Sequence, residues 1–339
     1  MISLLKDLCS INGISGDESQ VRDFICTQID GKCEYNIDAL GNIIAFKKGR
    51  KTPDKKIMIS AHMDEVGMIV TSIKNDGTLT LSSVGAVDPK VVIGRQVTIG
   101  KNKIYGVIGS KAVHNLSDDE KKTNPDFEKL FVDIGSLNKE EASAIIALGD
   151  SVYFESDFIE FGEGYLKGKA IDDRFGCAVM IEMINGELEY DCWFTFVVQE
   201  EVGLRGSKTA AYKVNPDFAI VIEATTAADI PGASDEKKCC VLGNGATVPF
   251  MDRSTIYDKE LFALTKRIAK ENYIGWQTKT TVAGGNDSGA IHVSRDGVRT
   301  IAVSVPCRYL HSPSCVIKKT DADDCYKLIQ KLFDEICCL

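Results

Sequence analysis

Continuous apolar segments rich in β-branched residues alternate with amphipathic segments along this chain, and that alternation limits the possible folds more than any other feature. The strand-like segments are residues 56–60, 193–198, 218–222 and 300–305. Apolar residues recur at the three- and four-residue spacing of helices in residues 18–29, 175–184, 258–271 and 322–336. Fully apolar strands alternating with amphipathic helices predict an α/β domain, with a mixed sheet flanked by helices.

Composition and charge indicate a large globular protein. The chain has 339 residues, 44% of them hydrophobic, which is enough to bury a large core and to form two or more domains. The net charge of -9 leaves no basic stripe that could neutralise phosphates. The N-terminal segment lacks an apolar stretch of signal-peptide length, and no later segment approaches membrane-spanning length. We therefore expect a cytoplasmic protein with no nucleic-acid or membrane partner.

The cysteines predict neither disulfides nor a zinc site. There are 12 of them, but no Cys-x-x-Cys pair occurs. Most lie inside apolar segments, as Cys26, Cys177, Cys192 and Cys307 do. We expect buried, reduced thiols, because free cysteine is among the most buried residue types.

Residues 68–161 have a different sequence pattern from the rest of the chain. Short strand-like segments at 68–73, 78–81, 96–99, 104–108 and 151–154 are separated by glycine-containing turns. This pattern predicts a small β-rich domain inserted into an α/β domain made of residues 1–67 and 162–339. The charged stretch 117–129 predicts a surface excursion, and we expect exposed strand edges in this domain to offer a pairing surface.

Two adjacent glutamates, Glu200 and Glu201, directly follow the strand-like segment 193–198. Adjacent side chains on an extended chain diverge, so one carboxylate can bind a metal while its neighbour reaches a water on that metal. Taken alone, the doublet is more commonly a solvated loop start. Other histidines and carboxylates at predicted strand ends favour the functional interpretation.

These other candidates are His62, Asp172, Glu223 and His311, each next to an apolar strand or in a loop. Ligands of open α/β sheets bind beyond the carboxyl ends of the strands. With Glu201 they form a set of N and O donors suited to two borderline divalent ions such as Zn, Co or Mn. Two such ions ~3.5 to 4 Å apart, bridged by a carboxylate and a water, generate a hydroxide and polarise a carbonyl oxygen. The constellation therefore predicts hydrolysis of an acyl bond.

The carboxylates next to two of these candidates have roles other than binding metal. Asp64, two residues after His62, could accept the other ring N–H of that histidine and so fix its tautomer. Asp173 precedes the predicted helix 175–184, where a first-turn carboxylate is often a simple cap.

Three further features have no metal role in this reading. His114 lies in the inserted region, and His292 lies on a predicted helix, so both are read as ordinary histidines. The Gly-rich stretch 284–289 lacks the pattern of a nucleotide loop, and we interpret it as a wall of the substrate pocket.

Four motifs, in order and spacing, resemble the tetrahedral (TET-type) aminopeptidase family of dinuclear metallopeptidases, which includes glutamyl and deblocking aminopeptidases. They are residues 61–67 (AHMDEVG), 171–174 (IDDR), 199–203 (QEEVG) and 308–313 (RYLHSP). The resemblance begins at residues 14–16 (ISG) and covers almost the whole chain. It implies a zinc-peptidase-like catalytic domain with an inserted β-barrel-like dimerisation domain. It also implies a metal-dependent aminopeptidase acting on peptides, and a homo-oligomer that is a dodecamer built from dimers.

The resemblance also implies a ligand set for two metal ions. His62 would bind the first ion, Asp172 would bridge both, and Glu201 with His311 would bind the second. The remaining ligand of the first ion is typically an aspartate in this family, whereas this chain has Glu223, whose carboxylate stands on a longer stem.

Catalytic roles follow from the same resemblance. Glu200 would be the general base that takes a proton from the bridging water and returns it to the leaving amine. Asp64 would orient the first histidine. The family's glutamate soon after the His-Ser-Pro motif is Cys315 here.

Two alternatives remain open from the sequence. The departures at Glu223 and Cys315 are compatible with an inactive or weakly active relative that serves as an oligomeric binding scaffold. A dinuclear site could also hydrolyse N-acylated amino acids instead of peptides.

Overall fold

A computed structural model describes residues 1–339 and contains nine α-helices and seventeen strands. The helices are α1 (Ile2–Ser10), α2 (Ser19–Ile29), α3 (Pro89–Val92), α4 (Lys139–Ser143), α5 (Ile171–Asn185), α6 (Arg205–Val214), α7 (Lys259–Glu271), α8 (Ser288–Ile291) and α9 (Lys319–Ile336). Four short 3-10 helices span Val113–Asn115, Glu120–Lys122, Phe127–Lys129 and Asp235–Lys237.

The strands belong to three sheets. They are β1 (Glu34–Ile37), β2 (Ile43–Lys47), β3 (Ile57–His62), β4 (Gly67–Ile73), β5 (Leu79–Val84), β6 (Gln96–Ile99), β7 (Ile104–Gly109), β8 (Phe131–Asp133), β9 (Ser151–Phe154), β10 (Ile159–Phe161), β11 (Tyr165–Gly168), β12 (Cys192–Val197), β13 (Phe218–Thr226), β14 (Ala246–Pro249), β15 (Trp276–Lys279), β16 (Arg299–Cys307) and β17 (Cys315–Lys318).

The main sheet has the order β1-β2-β12-β3-β13-β16-β14-β15. Its four central strands, β12, β3, β13 and β16, are parallel to one another, whereas β2 and β14 run antiparallel to their central neighbours. The sheet is mixed and flanked by helices, as predicted. Every residue of β3 is buried, as expected of a central parallel strand, and α5 packs against it.

The predicted helices of this domain form with small shifts at their ends. Helix α7 begins after Asp258, whose carboxylate accepts the N–H groups of Glu260 and Leu261 and so caps the first turn. Its buried positions, Leu261, Thr265, Ile268 and Ala269, lie on one stripe that packs towards α9 and the sheet.

Strands β4, β5, β8, β7, β6 and β9 form a closed barrel between the two parts of the main domain. The barrel has its own core of 15 buried hydrophobic residues, separate from the core around the main sheet. The expectation of exposed strand edges is wrong, because β9 pairs with β4 and completes the ring, so no edge remains. Residues 117–129 contain two 3-10 helices and otherwise irregular structure, with mostly exposed side chains, as predicted for a surface excursion.

A third, three-stranded sheet has the order β10-β11-β17 and connects the chain leaving the barrel to the C-terminal part of the main domain. The predicted boundary of the inserted domain, 68–161, stays a prediction. All 12 cysteines are free, and seven of them are buried. No helix combines the length and the apolar content needed to cross a membrane.

Candidate metal centre

The carboxyl ends of the four central parallel strands bring together candidate residues that are far apart in the sequence. His62 is the last residue of β3, and the Glu200–Glu201 pair follows the end of β12. His311 follows β16. Glu223 lies inside β13 instead of after it, because residues 224–226 continue to pair with β16. In a parallel arrangement these ends share one edge of the sheet, so the side chains converge.

Asp172 reaches the same place from the junction between β11 and α5. Asp172 and Asp173 have non-helical dihedral angles, so regular helix begins at Arg174. The fully buried Arg174 guanidinium donates to the main-chain oxygens of Met63 (2.8 Å) and Leu8 (2.7 Å). These bonds tie the start of α5 to the segment that follows His62.

Asp172 lies between the two histidines. Its Oδ1 is 3.5 Å from Nε2 of His62, and its Oδ2 is 3.4 Å from Nε2 of His311. His62 Nε2 is also 3.8 Å from Glu223 Oε2, and His311 Nε2 is 3.3 Å from Glu201 Oε2. The five residues predicted as ligands therefore form two adjacent groups that share one carboxylate.

The donor atoms fit divalent metal ions. Within each group, His62–Asp172–Glu223 and Asp172–Glu201–His311, one ligand atom per residue lies within 4.8 Å of the others. Asp172 Oδ1 and Glu223 Oε1 are buried and have no hydrogen-bond partner. Buried carboxylate oxygens without partners are costly unless a cation or a proton compensates them. Imidazole and carboxylate donors suit Zn, Co or Mn.

The site crowds several carboxyl groups into a buried space. Burial raises the pKa of Glu200 and of Glu223 well above the ordinary carboxyl value. Burial also raises the pKa of Glu201 to about 8. Burial opposes ionisation of Asp172 as well, but the nearby His311 and His62 imidazoles hold its pKa below the ordinary value. Burial thus disfavours ionised carboxylates here, and a bound cation would compensate their charge.

Asp64 is fully buried beneath this group. The nearer acceptor for His62 Nδ1 is the main-chain oxygen of Asp64, at 3.0 Å, whereas the Asp64 carboxylate is 3.5 Å away. A ring proton on Nδ1 would leave Nε2 free to face Asp172 and Glu223. The carboxylate of Asp64 instead accepts the main-chain N–H groups of Glu200 (3.0 Å) and Glu201 (3.2 Å).

Asp173 and the two remaining histidines lie outside the two ligand groups. Asp173 Oδ1 accepts the N–H of Gly176 at 2.9 Å, the bond expected of a first-turn carboxylate. A Cβ atom at Gly176 would lie 2.3 Å from Asp173 Oδ2, so this contact requires glycine. His114 is exposed, and His292 follows α8 with its ring against the main-chain oxygen of Ser288.

A cleft of about 660 Å³ opens in front of the candidate ligands. Its walls include Gly284, Gly285 and Asn286, so the Gly-rich stretch lines the pocket as predicted. Ala86 and Asp88, which lie between β5 and α3, also line it. The cleft therefore has walls from both the main domain and the barrel region.

Sequence reasoning missed two buried polar features near the site. Lys169 Nζ lies 2.6 Å from Glu65 Oε1 and 2.8 Å from Asn12 Oδ1, all three buried. Asp287 is fully buried, and neither carboxylate oxygen has a hydrogen-bond partner. Glu65 and Asp287 lie inside segments singled out above, and Lys169 lies just before the 171–174 motif, but nothing local in the sequence indicates which distant residues surround them.

Comparison with known proteins identifies the family. Residues 41–328 match the model of the M42 glutamyl aminopeptidase family. The chain is 31% identical to the lysyl aminopeptidase of Pyrococcus furiosus, over 98% of this chain and 96% of that protein. It is 32% identical to the glutamyl aminopeptidase of Lactococcus lactis subsp. cremoris, over 94% of this chain and 91% of that protein.

Among solved structures, the TET1 peptidase of Pyrococcus horikoshii superposes with a TM-score of 0.86 at 35% identity, covering 98% of each chain. That peptidase can assemble into a tetrahedron or a large octahedral shell. The matches extend across the main domain, the barrel and all four motifs. This chain therefore belongs to the M42 glutamyl aminopeptidase family of metallopeptidases.

Proposed function

We propose that this protein is a dinuclear metal-dependent aminopeptidase that removes N-terminal residues from peptides. The observation that carries the proposal is the position of Asp172, whose two oxygens face His62 and His311 respectively. One carboxylate shared by two groups of N and O donors is the arrangement expected of two ions held close together.

In this proposal the first ion is held by His62, Glu223 and Asp172, and the second by Asp172, Glu201 and His311. When bound, two such ions lower the pKa of a water molecule and polarise the scissile carbonyl. Imidazole and carboxylate donors suit borderline divalent ions, so we propose Zn, Co or Mn.

Glu200 is the proposed general base. One of its carboxylate oxygens lies within 4.8 Å of donor atoms of His62 and Glu201, yet the carboxylate belongs to neither shared group around Asp172. It is therefore placed to take a proton from water near the ions and to return it to the leaving amine. Asp64 supports this position by holding the Glu200 N–H.

The substrate and assembly proposals rest on the cleft and on the relatives. The cleft of about 660 Å³ can hold the end of an extended peptide in front of Asp172. Two relatives are named lysyl aminopeptidase and glutamyl aminopeptidase, and a structural neighbour can assemble into a tetrahedron or a large octahedral shell. We therefore propose peptide substrates and a homo-oligomer, a dodecamer built from dimers. A cytoplasmic location stays a prediction.

Metal removal tests the proposal. The protein should hydrolyse aminoacyl reporters, lose turnover after dialysis against a chelator, and regain it on addition of Co, Mn or Zn. Metal content is measured in the same samples by atomic spectrometry. Full turnover after verified removal of both ions would contradict a metal mechanism.

The same assay separates the alternatives. A binding scaffold would retain its assembly but hydrolyse no member of a reporter panel at any metal concentration. A hydrolase of N-acylated amino acids would prefer an acetylated N-terminus, whereas an aminopeptidase requires the free amine. Comparing matched free and acetylated peptides decides between these substrates.

A further inference from the structure

Four successive main-chain N–H groups around the glutamate pair donate to side-chain oxygens instead of main-chain oxygens. The pairs are Val198 N to Asn42 Oδ1 (2.9 Å), Gln199 N to Glu18 Oε1 (3.2 Å), Glu200 N to Asp64 Oδ1 (3.0 Å) and Glu201 N to Asp64 Oδ2 (3.2 Å). All three acceptor residues are buried. The segment that presents Glu200 to the cleft is thus held by side chains from elsewhere in the chain.

Gln199 is the residue at which this segment turns away from β12. Its φ is 56°, in the left-handed region that residues other than glycine rarely adopt. Such a conformation persists only where surrounding contacts impose it. The main-chain N–H of Gln199 donates its hydrogen bond to Glu18.

Glu18 lies immediately before α2, and its side chain does not face solvent: the residue is 7% exposed. Its Oε1 accepts the N–H of Gly16 at 2.7 Å as well as that of Gln199. In the same loop, the Ser15 hydroxyl donates to Asp64 Oδ2 at 2.6 Å. The N-terminal loop therefore supports the Glu200 segment twice, directly through Glu18 and indirectly through Ser15 and Asp64.

We propose that Glu18 is a positioning residue that sets the orientation of Glu200 by accepting the Gln199 N–H. This inference rests on the proposed function, in which Glu200 is the general base. Glu18 contacts none of the candidate ligands and does not line the cleft. It therefore acts on the geometry of catalysis and leaves substrate binding and metal binding in place.

Removing the Glu18 side chain would leave the half-buried Gln199 N–H without its acceptor. The left-handed turn would relax, and the Glu200 carboxylate would shift with it. A displacement of about 1 Å in a catalytic group can lower turnover about 100-fold. We expect Glu18→Ala to lower kcat about 10- to 100-fold, with KM changed less than about threefold and two ions still bound.

Two further variants make the test specific. Glu18→Gln keeps an oxygen that can accept both N–H groups, so it should recover most of the lost kcat. Asp17→Ala is the matched control from the same loop, because Asp17 accepts the Ser151 and Tyr153 hydroxyls of the barrel and does not touch the Glu200 segment. It should keep a kcat close to that of the parent.

The experiment measures kcat, KM, bound metal and thermal unfolding for the parent and the three variants with a free-amine reporter. A parent-like kcat in Glu18→Ala would overturn the inference. Equal losses of kcat in Asp17→Ala or in Glu18→Gln would also overturn it, as would loss of an ion from Glu18→Ala.

If Glu18→Ala does not fold, Ser15→Ala replaces it and should lower kcat with both ions retained. A parent-like kcat in Ser15→Ala would count against positioning by this loop. A parent without metal-dependent turnover would instead sink the proposed function itself.

Discussion

His311 Nδ1 lies 3.0 Å from the main-chain oxygen of Ala86. Ala86 lies between β5 of the barrel and α3, whereas His311 follows β16 of the main sheet. A ring proton on Nδ1 would bind this oxygen and leave Nε2 free to face Asp172 and Glu201. The inserted region thus orients a candidate ligand, in addition to any role in assembly.

Replacement of residues 68–161 by a short linker should therefore have two effects. It should give smaller particles by light scattering, and it should weaken binding of one ion because His311 loses the Ala86 carbonyl. Loss of an outer hydrogen-bond partner typically lowers metal affinity about 10- to 100-fold. An unaltered large assembly would show that the catalytic domain carries the contacts, and unaltered binding of both ions would show that Ala86 is dispensable.

The outer face of β7 is a specific candidate for contacts between barrels. Tyr105 and Val107 point outward with 63% and 49% of their surfaces exposed, while Ile108 packs inside the barrel. Since the closed barrel has no strand edge, any pairing of barrels would use exposed side chains such as these. The double substitution Tyr105→Glu and Val107→Glu should reduce the particle mass by at least half. Tyr273→Glu, an exposed position outside the barrel, is the matched control; a double variant with the parent's mass would show that this face is free.

Glu223 is a proposed ligand at a position where the family resemblance implies an aspartate, so its side chain is one methylene longer. Glu223→Ala should leave the first ion weakly bound and the enzyme nearly inactive at limiting metal, because one of three protein ligands is lost. Glu223→Asp should change metal affinity measurably, in the direction of tighter binding if the shorter stem suits the site better. Titration with the metal ion while turnover is followed measures both. Two ions bound as tightly as in the parent would show that Glu223 is not a ligand.

The main-domain architecture and the candidate ligands were predictable because both depend on local patterns. A mostly apolar segment followed by His62 or by Glu200 predicts a buried strand that ends at a polar edge of the sheet. The predicted end of β13, at residue 222, was too early. Residues 224–226 remain paired with β16, although their local apolar pattern is weaker than that of 218–222. Pairing with β16 decides that boundary, and pairing partners are not visible locally.

The supporting contacts were not predictable for the same reason. Glu18 and Gln199 are 181 residues apart, and Asn42 and Val198 are 156 apart. Barrel closure likewise depends on β9 meeting β4. These contacts are set by the tertiary arrangement, whereas the sequence shows only that the residues are polar and lie near turns.

The glutamate pair provides the most direct test of the central claim, that one carboxylate binds metal while its neighbour moves protons. Glu200→Gln keeps the size of the side chain but cannot accept a proton, so turnover should fall by about 10²–10⁴ or more while both ions stay bound. Glu201→Gln removes a charged ligand next to His311, so it should lose the second ion. Bound metal and kcat measured side by side in these two variants decide the matter. Two ions and near-normal rates in both variants would contradict the account.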